Sequence, residues 1–233
     1  MRQRLPNKPN VTHQTISSAL DGSLITLKDI RSVPMQWNTV DVKNERQEFA
    51  EWLLGNGQHV HKVYMDEFGV NVWTSRTKGR AAQGQRAVRI IEGQRGQNLT
   101  IVLATSNVEG LVHYMCIDGG ITGELFAGFL MEISALLDEP FVMLCDNARP
   151  HTNPPVMGHG QEVRFLPRYS PFLNATEMAG SCLKAAIKRR MAEPHVQREL
   201  YERDMPREET LHNRRMRILR REVETQHSGA YCG

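Results

Sequence analysis

The chain has 233 residues, 40% hydrophobic and 24% charged, an ordinary globular balance with room for one good core and a smaller appendage. A formal net charge of +3 is too small to demand a polyanionic partner by itself. Cys116, Cys145, Cys182 and Cys232 form no CxxC pair and no zinc spacing with histidine, and no apolar run is long enough to span a bilayer. A zinc site, a disulfide framework and a membrane partner are therefore not expected, and an intracellular, reducing compartment is.

The first section, residues 1–57, reads as helical. Thr12 to Leu20 is a short polar helix, Leu24 to Asp29 a second piece of a small module, and Pro34 a break. Asp41 to Leu54 is an amphipathic helix with Val42, Phe49, Trp52 and Leu53 apolar, stopped by Gly55-Asn56-Gly57. The second section, 58–191, alternates strands and helices. HKVYMDEFG reads as a strand ending at Asp66, and VNVWTSRTKGR as a hairpin excursion. From Arg76 to Arg95 the chain carries Arg76, Lys78, Arg80, Arg86, Arg89 and Arg95 against the single acid Glu92. That local excess suits phosphate contacts, and a solvated loop equally.

LTIVLAT (99–105) and GLVHYMCI (110–117) are strands joined by a short turn. The helix ITGELFAGFLMEISALL follows, with Thr122 as its N-cap and Leu125, Phe129, Ile133 and Leu136 on one face. FVMLC is a short buried strand running into Asp146, EVRFLP (162–167) is another, and Asn174 to Arg190 is a helix. The third section, 192–233, is charged and mostly helical; LHNRRMRILRREVE is basic and mildly amphipathic, and a solvated helix is expected.

An antiparallel meander, a helix and a parallel strand would set the first and fourth strands of the second section side by side. Asp66 and Asp146 would then share a sheet edge, and the helix after the last strand could bring Glu177 over them. Converging carboxylates repel one another unless a cation lies among them, and all-oxygen ligands suit Mg²⁺. Each residue also has a structural role open to it. Asp66 could start a turn at Glu67-Phe68-Gly69, Asp146 a turn before Pro150, and Asn174 with Glu177 is spaced as a capping box.

Four segments then point to a family. YMDEFGVNVWTSRTKGR, GQRAVRIIEGQRG, FVMLCDNARPH and LPRYSPFLNATEMAGSCLKAAIKRR together resemble the catalytic domain of mariner-type DDE transposases over about residues 58–191. More weakly, VTHQTISSALDG resembles the recognition helix of the last helix-turn-helix in that family, so residues 1–57 are expected to hold only the final piece of a DNA-binding region. The resemblance implies an α/β, ribonuclease-H-like mixed sheet flanked by helices. It also implies Mg²⁺, or Mn²⁺ as a substitute, double-stranded DNA as partner, and no organic cofactor. A homodimer is compatible with it, and the location would be nuclear in a eukaryote and cytoplasmic otherwise.

Carried over residue by residue, the metal-binding and catalytic triad falls on Asp66, Asp146 and Glu177. Asn147 and His151 are placed as loop-ordering residues. Arg76, Lys78, Arg80, Lys184 and Lys188 are placed on DNA phosphates; on helical spacing Glu177, Ser181, Lys184 and Lys188 share one face, with Ala179, Cys182, Leu183, Ala186 and Ile187 opposite.

The chain departs from the family pattern where Ala175-Thr176 replaces Pro-Ile and where Gly180 replaces a bulky aromatic. The stretch from Asp146 to Glu177 is also somewhat short. Loss of a proline at the helix start is expected to loosen Glu177, and a helical glycine costs about 1 kcal/mol against alanine. A catalytically silent DNA-binding or interaction protein is therefore the competing reading.

Overall fold

Apolar residues at every second position build the central strand, β1 (Lys62–Asn71): Val63 and Met65 are buried on one face, Phe68 and Val70 on the other. The computed structural model describes residues 12–22, 32–72, 80–86, 88, 98–201 and 210–230. It divides into two units, Met1–Met35 and Gln36–Gly233. In the first, α1 (His13–Gly22) is a polar helix begun by Thr12, whose Oγ1 accepts a hydrogen bond from Thr15 N at 3.2 Å. The expected second piece of that module, Leu24 to Asp29, lies outside the described residues.

The second unit opens with α2 (Val40–Leu54) and carries a five-stranded sheet in the order β3-β2-β1-β4-β5. The hairpin partners β2 (Asn98–Ser106) and β3 (Gly110–Asp118) run antiparallel to their neighbours. After α3 (Gly123–Leu137), β4 (Val142–Cys145) lies parallel to β1, and β5 (Glu162–Phe165) parallel to β4. The expected adjacency of the first and fourth strands is what is found. Three more helices follow: α4 (Thr176–Arg190), α5 (Pro194–Leu200) and α6 (Leu211–Ala230).

One expectation fails within β1. The strand does not end at Asp66, because Glu67, Phe68 and Gly69 pair with Val102, Ile101 and Thr100 of β2. A turn at Glu67-Phe68-Gly69 is thereby excluded.

Thr122 does cap α3, accepting from Leu125 N at 3.3 Å, but the buried stripe is Phe126, Phe129, Leu130 and Ile133. Leu125 is 37% and Leu136 59% exposed. Apolar residues ring this helix, so spacing alone left its rotation open. The two phenylalanines settle it by filling the space over Val63, Met65 and Met143.

The last helix is also not solvated. Met216, Ile218, Leu219 and Val223 of α6 are buried in one cluster with Phe68, Leu99, Ile101 and Ile187. Its charges are absorbed locally. Buried Arg215 donates from Nε to Val72 O at 3.0 Å, and buried Glu222 pairs with Arg190 at 3.0 Å. Arg221 forks onto Glu199 of α5 at 2.8 and 2.9 Å. Basic composition hid an amphipathic helix that packs its stems and pairs its heads.

Candidate active site

The parallel pairing of β1 and β4 levels two carboxylates. Tyr64 lies opposite Leu144, and continuing that register sets Asp66 beside Asp146. Both are an even number of positions from that pair, so both side chains leave the face that carries Tyr64 and Leu144. Asp66 is half-buried, and its Oδ1 accepts a hydrogen bond from Glu67 N at 2.9 Å. Burial pushes its carboxyl up to about 6; the Glu67 amide opposes this, and the negative charges of Glu177, Asp146 and Glu67 add to the rise.

Asp146 is more open. Its Oδ1 accepts from Ala148 N at 3.1 Å and sits 2.8 Å from His151 Nδ1. The bond to His151 holds its carboxyl below the usual range.

His151 is only 3% exposed and lies between two acids, with Nε2 2.6 Å from Glu67 Oε1 and its ring centroid 4.5 Å from that of Phe126. Burial alone would lower its pKa, but the hydrogen bonds to Asp146 and Glu67 outweigh that and raise it to about 9. One oxygen of Asp146 is thus engaged by His151 and Ala148. Asn147 donates from Nδ2 to Leu166 O at 3.1 Å, tying the turn after β4 to the end of β5.

The start of α4 is bolted to the backbone of β1. Asn174 donates from Nδ2 to Met65 O at 2.9 Å and accepts from Thr176 N at 3.1 Å. Fully buried Thr176 donates from Oγ1 to Tyr64 O at 2.8 Å and receives Thr105 Oγ1 at 2.8 Å. The capping box does not form, because Asn174 N–H is taken by Pro171 O at 2.9 Å. The Glu177 side chain is therefore exposed in the first turn of α4, and it accepts no hydrogen bond among the described residues.

Thr176 answers the missing proline by fixing the helix start through hydrogen bonds instead of a ring. Gly180 has its own compensation. A Cβ there would stand 3.1 Å from the Phe68 ring, so an aromatic from β1 fills the space that a bulky residue on α4 would occupy.

Asp66, Asp146 and Glu177 line one cleft of about 360 Å³, with Asn147, Asn174 and the segment 166–171 as its walls. That far wall is held by α2, and nothing local in the sequence signals it. Arg46 donates to Ser170 Oγ at 2.7 Å and Tyr169 O at 3.2 Å, and Arg168 pairs with Glu45. Glu67 was also missed as the second partner of His151; its place directly after Asp66 was the available signal.

The basic residues spread more widely. Arg80 and Lys188 are exposed, and Lys184 Nζ lies 4.9 Å over the Phe68 ring. Arg76 and Lys78 lie outside the described residues. On the packing side of α4, Ile187 is buried and Ala179 and Leu183 are partly so, but Cys182 is exposed because the helix does not sink far enough to cover it.

The donor set fits divalent cations. It is all hard oxygen, Glu177 and the second oxygen of Asp146 have no protein partner among the described residues, and a cation would relieve the like-charge pressure on Asp66. The oxygens are spread more than a single-ion cage requires. Among the described residues the one set of such ligand atoms all within 4.8 Å of one another is that of His61, Glu109 and Glu139.

Residues 61–198 match the family model described as DDE superfamily endonuclease. The chain belongs to that family. Among solved structures, the Mos1 transposase paired-end complex with left transposon end is 19% identical with a TM-score of 0.57, covering 92% of this chain and 69% of that one. The Mos1 mariner paired-end complex with Mn is 20% identical with a TM-score of 0.56, covering 92% and 69%. The pre-cleavage Mos1 transpososome is 19% identical with a TM-score of 0.55, covering 92% and 70%. A search among curated proteins found no match. The family match thus bears out the expected DDE resemblance, and the solved structures bear out the α/β, ribonuclease-H-like architecture. The matched span contains all three cleft carboxylates and ends before α6.

Proposed function

We propose that this DDE endonuclease cuts and joins DNA as a transposase does, with Asp66, Asp146 and Glu177 as its metal ligands. The observation that carries the reading is the delivery of three carboxylates from β1, the end of β4 and α4 into one cleft. Two Mg²⁺ or Mn²⁺ ions held there would activate an attacking oxygen and stabilise the leaving oxygen of a phosphodiester. Asp66, Asp146 and Glu177 would hold these ions through their carboxylate oxygens.

His151 keeps one Asp146 oxygen in place and turns the other toward the cleft, while Asn147 fixes the turn that follows the aspartate. Arg80, Lys184 and Lys188 would contact the DNA phosphates, and Arg76 and Lys78, which lie outside the described residues, would do the same. Hydrolysis of one phosphodiester frees a 3′-hydroxyl, which attacks target DNA in a transesterification. The Mos1 structures described with transposon ends and with Mn support this reading for a chain of the same fold.

Nicking of supercoiled plasmid in Mg²⁺ or Mn²⁺ tests it, comparing the wild-type chain with Asp146→Asn. Metal-dependent nicking that the variant loses is the expected result. No nicking by folded protein, with or without pre-cut ends, would favour a silent DNA-binding protein; salt-dependent DNA binding alone would not separate the two.

A further inference from the structure

Glu67 follows Asp66 in β1, and strand alternation turns the two carboxylates to opposite faces of the sheet. Asp66 shares its side with Tyr64 and Phe68 and lines the cleft; Glu67 shares its side with Val63 and Met65, which pack under α3, and does not line it. Among the described residues the one hydrogen bond of the Glu67 side chain is to His151, with Oε1 2.6 Å from Nε2. Across the same ring, Nδ1 is 2.8 Å from Asp146 Oδ1. Glu67, His151 and Asp146 thus form a relay that passes round the end of β4, from the α3 side of the sheet to the cleft.

Two observations set this relay apart from ordinary loop packing. The Asp146 side chain is 62% exposed, so its surroundings do not fix the carboxylate. Two hydrogen bonds to Oδ1 do, and the shorter comes from a buried ring that is itself held by Glu67 and backed by Phe126. The second observation concerns the ring nitrogens. An imidazole between two acceptors donates from both, so His151 has no lone pair left for a cation and the cleft keeps an all-oxygen donor set.

We infer that Glu67 is a positioning residue for the cleft: by holding His151 from the far side of the sheet, it aims the free oxygen of Asp146 at the ion. The inference rests on the reading of Asp66, Asp146 and Glu177 as metal ligands. Groups that orient a metal ligand without touching the metal set affinity by about 10–100-fold. Without Glu67 the ring is released on one side, the Asp146 carboxylate turns with it, and the ion loses a ligand while Asp66 and Glu177 stay in place.

The test measures Mn²⁺ binding to the full chain, with free Mn²⁺ read by its paramagnetic resonance signal and the metal-free Tm as the check on folding. Glu67→Leu keeps bulk but offers His151 nothing, and should weaken binding by at least about tenfold. Glu67→Gln should stay closer to wild type than to the leucine variant, because its amide can donate to Nε2 while Nδ1–H still reaches Asp146. Adding Glu67→Leu to His151→Asn should cost nothing more, since asparagine keeps a donor near the Nδ1 position and has no reach to Glu67. Glutamine as weak as leucine would mean that Glu67 acts by charge alone, and a leucine effect that persists beside His151→Asn would mean that it acts directly; either overturns the inference. Mn²⁺ binding indifferent to Glu67→Leu overturns it too and leaves the metal reading standing, whereas no Mn²⁺ binding by the wild-type chain removes both. The glutamine comparison and the His151→Asn chain keep the test decisive if Glu67→Leu does not fold.

Discussion

Over one face of the sheet a single helix, α3, lays Phe126, Phe129, Leu130 and Ile133 on Val63, Met65, Met143 and Cys145 in one continuous core. Over the other face the apolar residues fall into two clusters. Phe49 of α2 packs with Val142, Leu144 and Leu166, and α4, α5 and α6 pack on Phe68, Val70, Leu99, Ile101 and Leu103. Asp66 and Asp146 leave the sheet on this second face, where the cores do not merge and a cleft stays open. A continuous core could not hold three carboxylates, because unpaired buried charge is too costly. A divided one can, since water or a cation reaches the gap.

The closed face should be the least forgiving. Phe129→Ala is expected to cost about 3–5 kcal/mol in urea unfolding; a loss under about 1 kcal/mol would mean that α3 does not seal that side. On the divided face, Leu219→Ala in α6 should cost about 2–5 kcal/mol. A solvated helix would register only about 0.5 kcal/mol, so this variant decides whether the last helix belongs to the core.

Thr176→Val keeps the shape at the start of α4 but removes the donor to Tyr64 O. We expect about 1–3 kcal/mol of destabilisation, with metal-dependent nicking falling further than stability does because Glu177 loses its fixed origin. Unchanged nicking in a destabilised Thr176→Val chain would detach the helix anchor from the chemistry.

A smaller effect concerns pH. The Asp66 carboxyl is raised to about 6 from 3.8, so the folded chain favours its protonated form. Its contribution to stability is complete below the unfolded value and is lost as pH rises through the folded one. A divalent cation binds only the ionised form. The rise in Tm on adding Mg²⁺ should therefore be larger at about pH 7.5 than at about pH 5, and Asp66→Asn should flatten the difference. Equal shifts at both pH values would separate Asp66 from the metal. The smallest effect is predicted for Leu136→Ala, within about 0.5 kcal/mol, because that leucine lies on the outer side of α3.

Much of this was readable along the chain. Runs rich in β-branched residues marked β2 and β3, and FVMLC announced a fully buried strand because both faces of β4 are covered. Their order was enough to place β1 beside β4. The candidate triad was named from the family resemblance, and the motifs Asp146 to His151 and Tyr169 to Asn174 together carried that signal. The rotation of α3 was not readable, since apolar residues all round the helix give no preferred stripe. Nor was the burial of α6, whose arginines look solvated until Glu199, Glu222 and the Val72 carbonyl are in place to receive them.

By itself the sequence determined the elements, their order and the residue types at the ends of β4 and the start of α4, because strand and helix periodicities and turn chemistry act over a few neighbours. Only the tertiary structure decided that Asp66 lies within a strand, paired through Glu67 to β2, and that Glu177 is free of a capping box. It alone showed that Gly180 makes room for Phe68, and that His151 is clasped by Asp146 and Glu67. Each of these depends on which face of the sheet a distant segment covers. Local propensity carries no record of that, because the contacts join residues tens of positions apart.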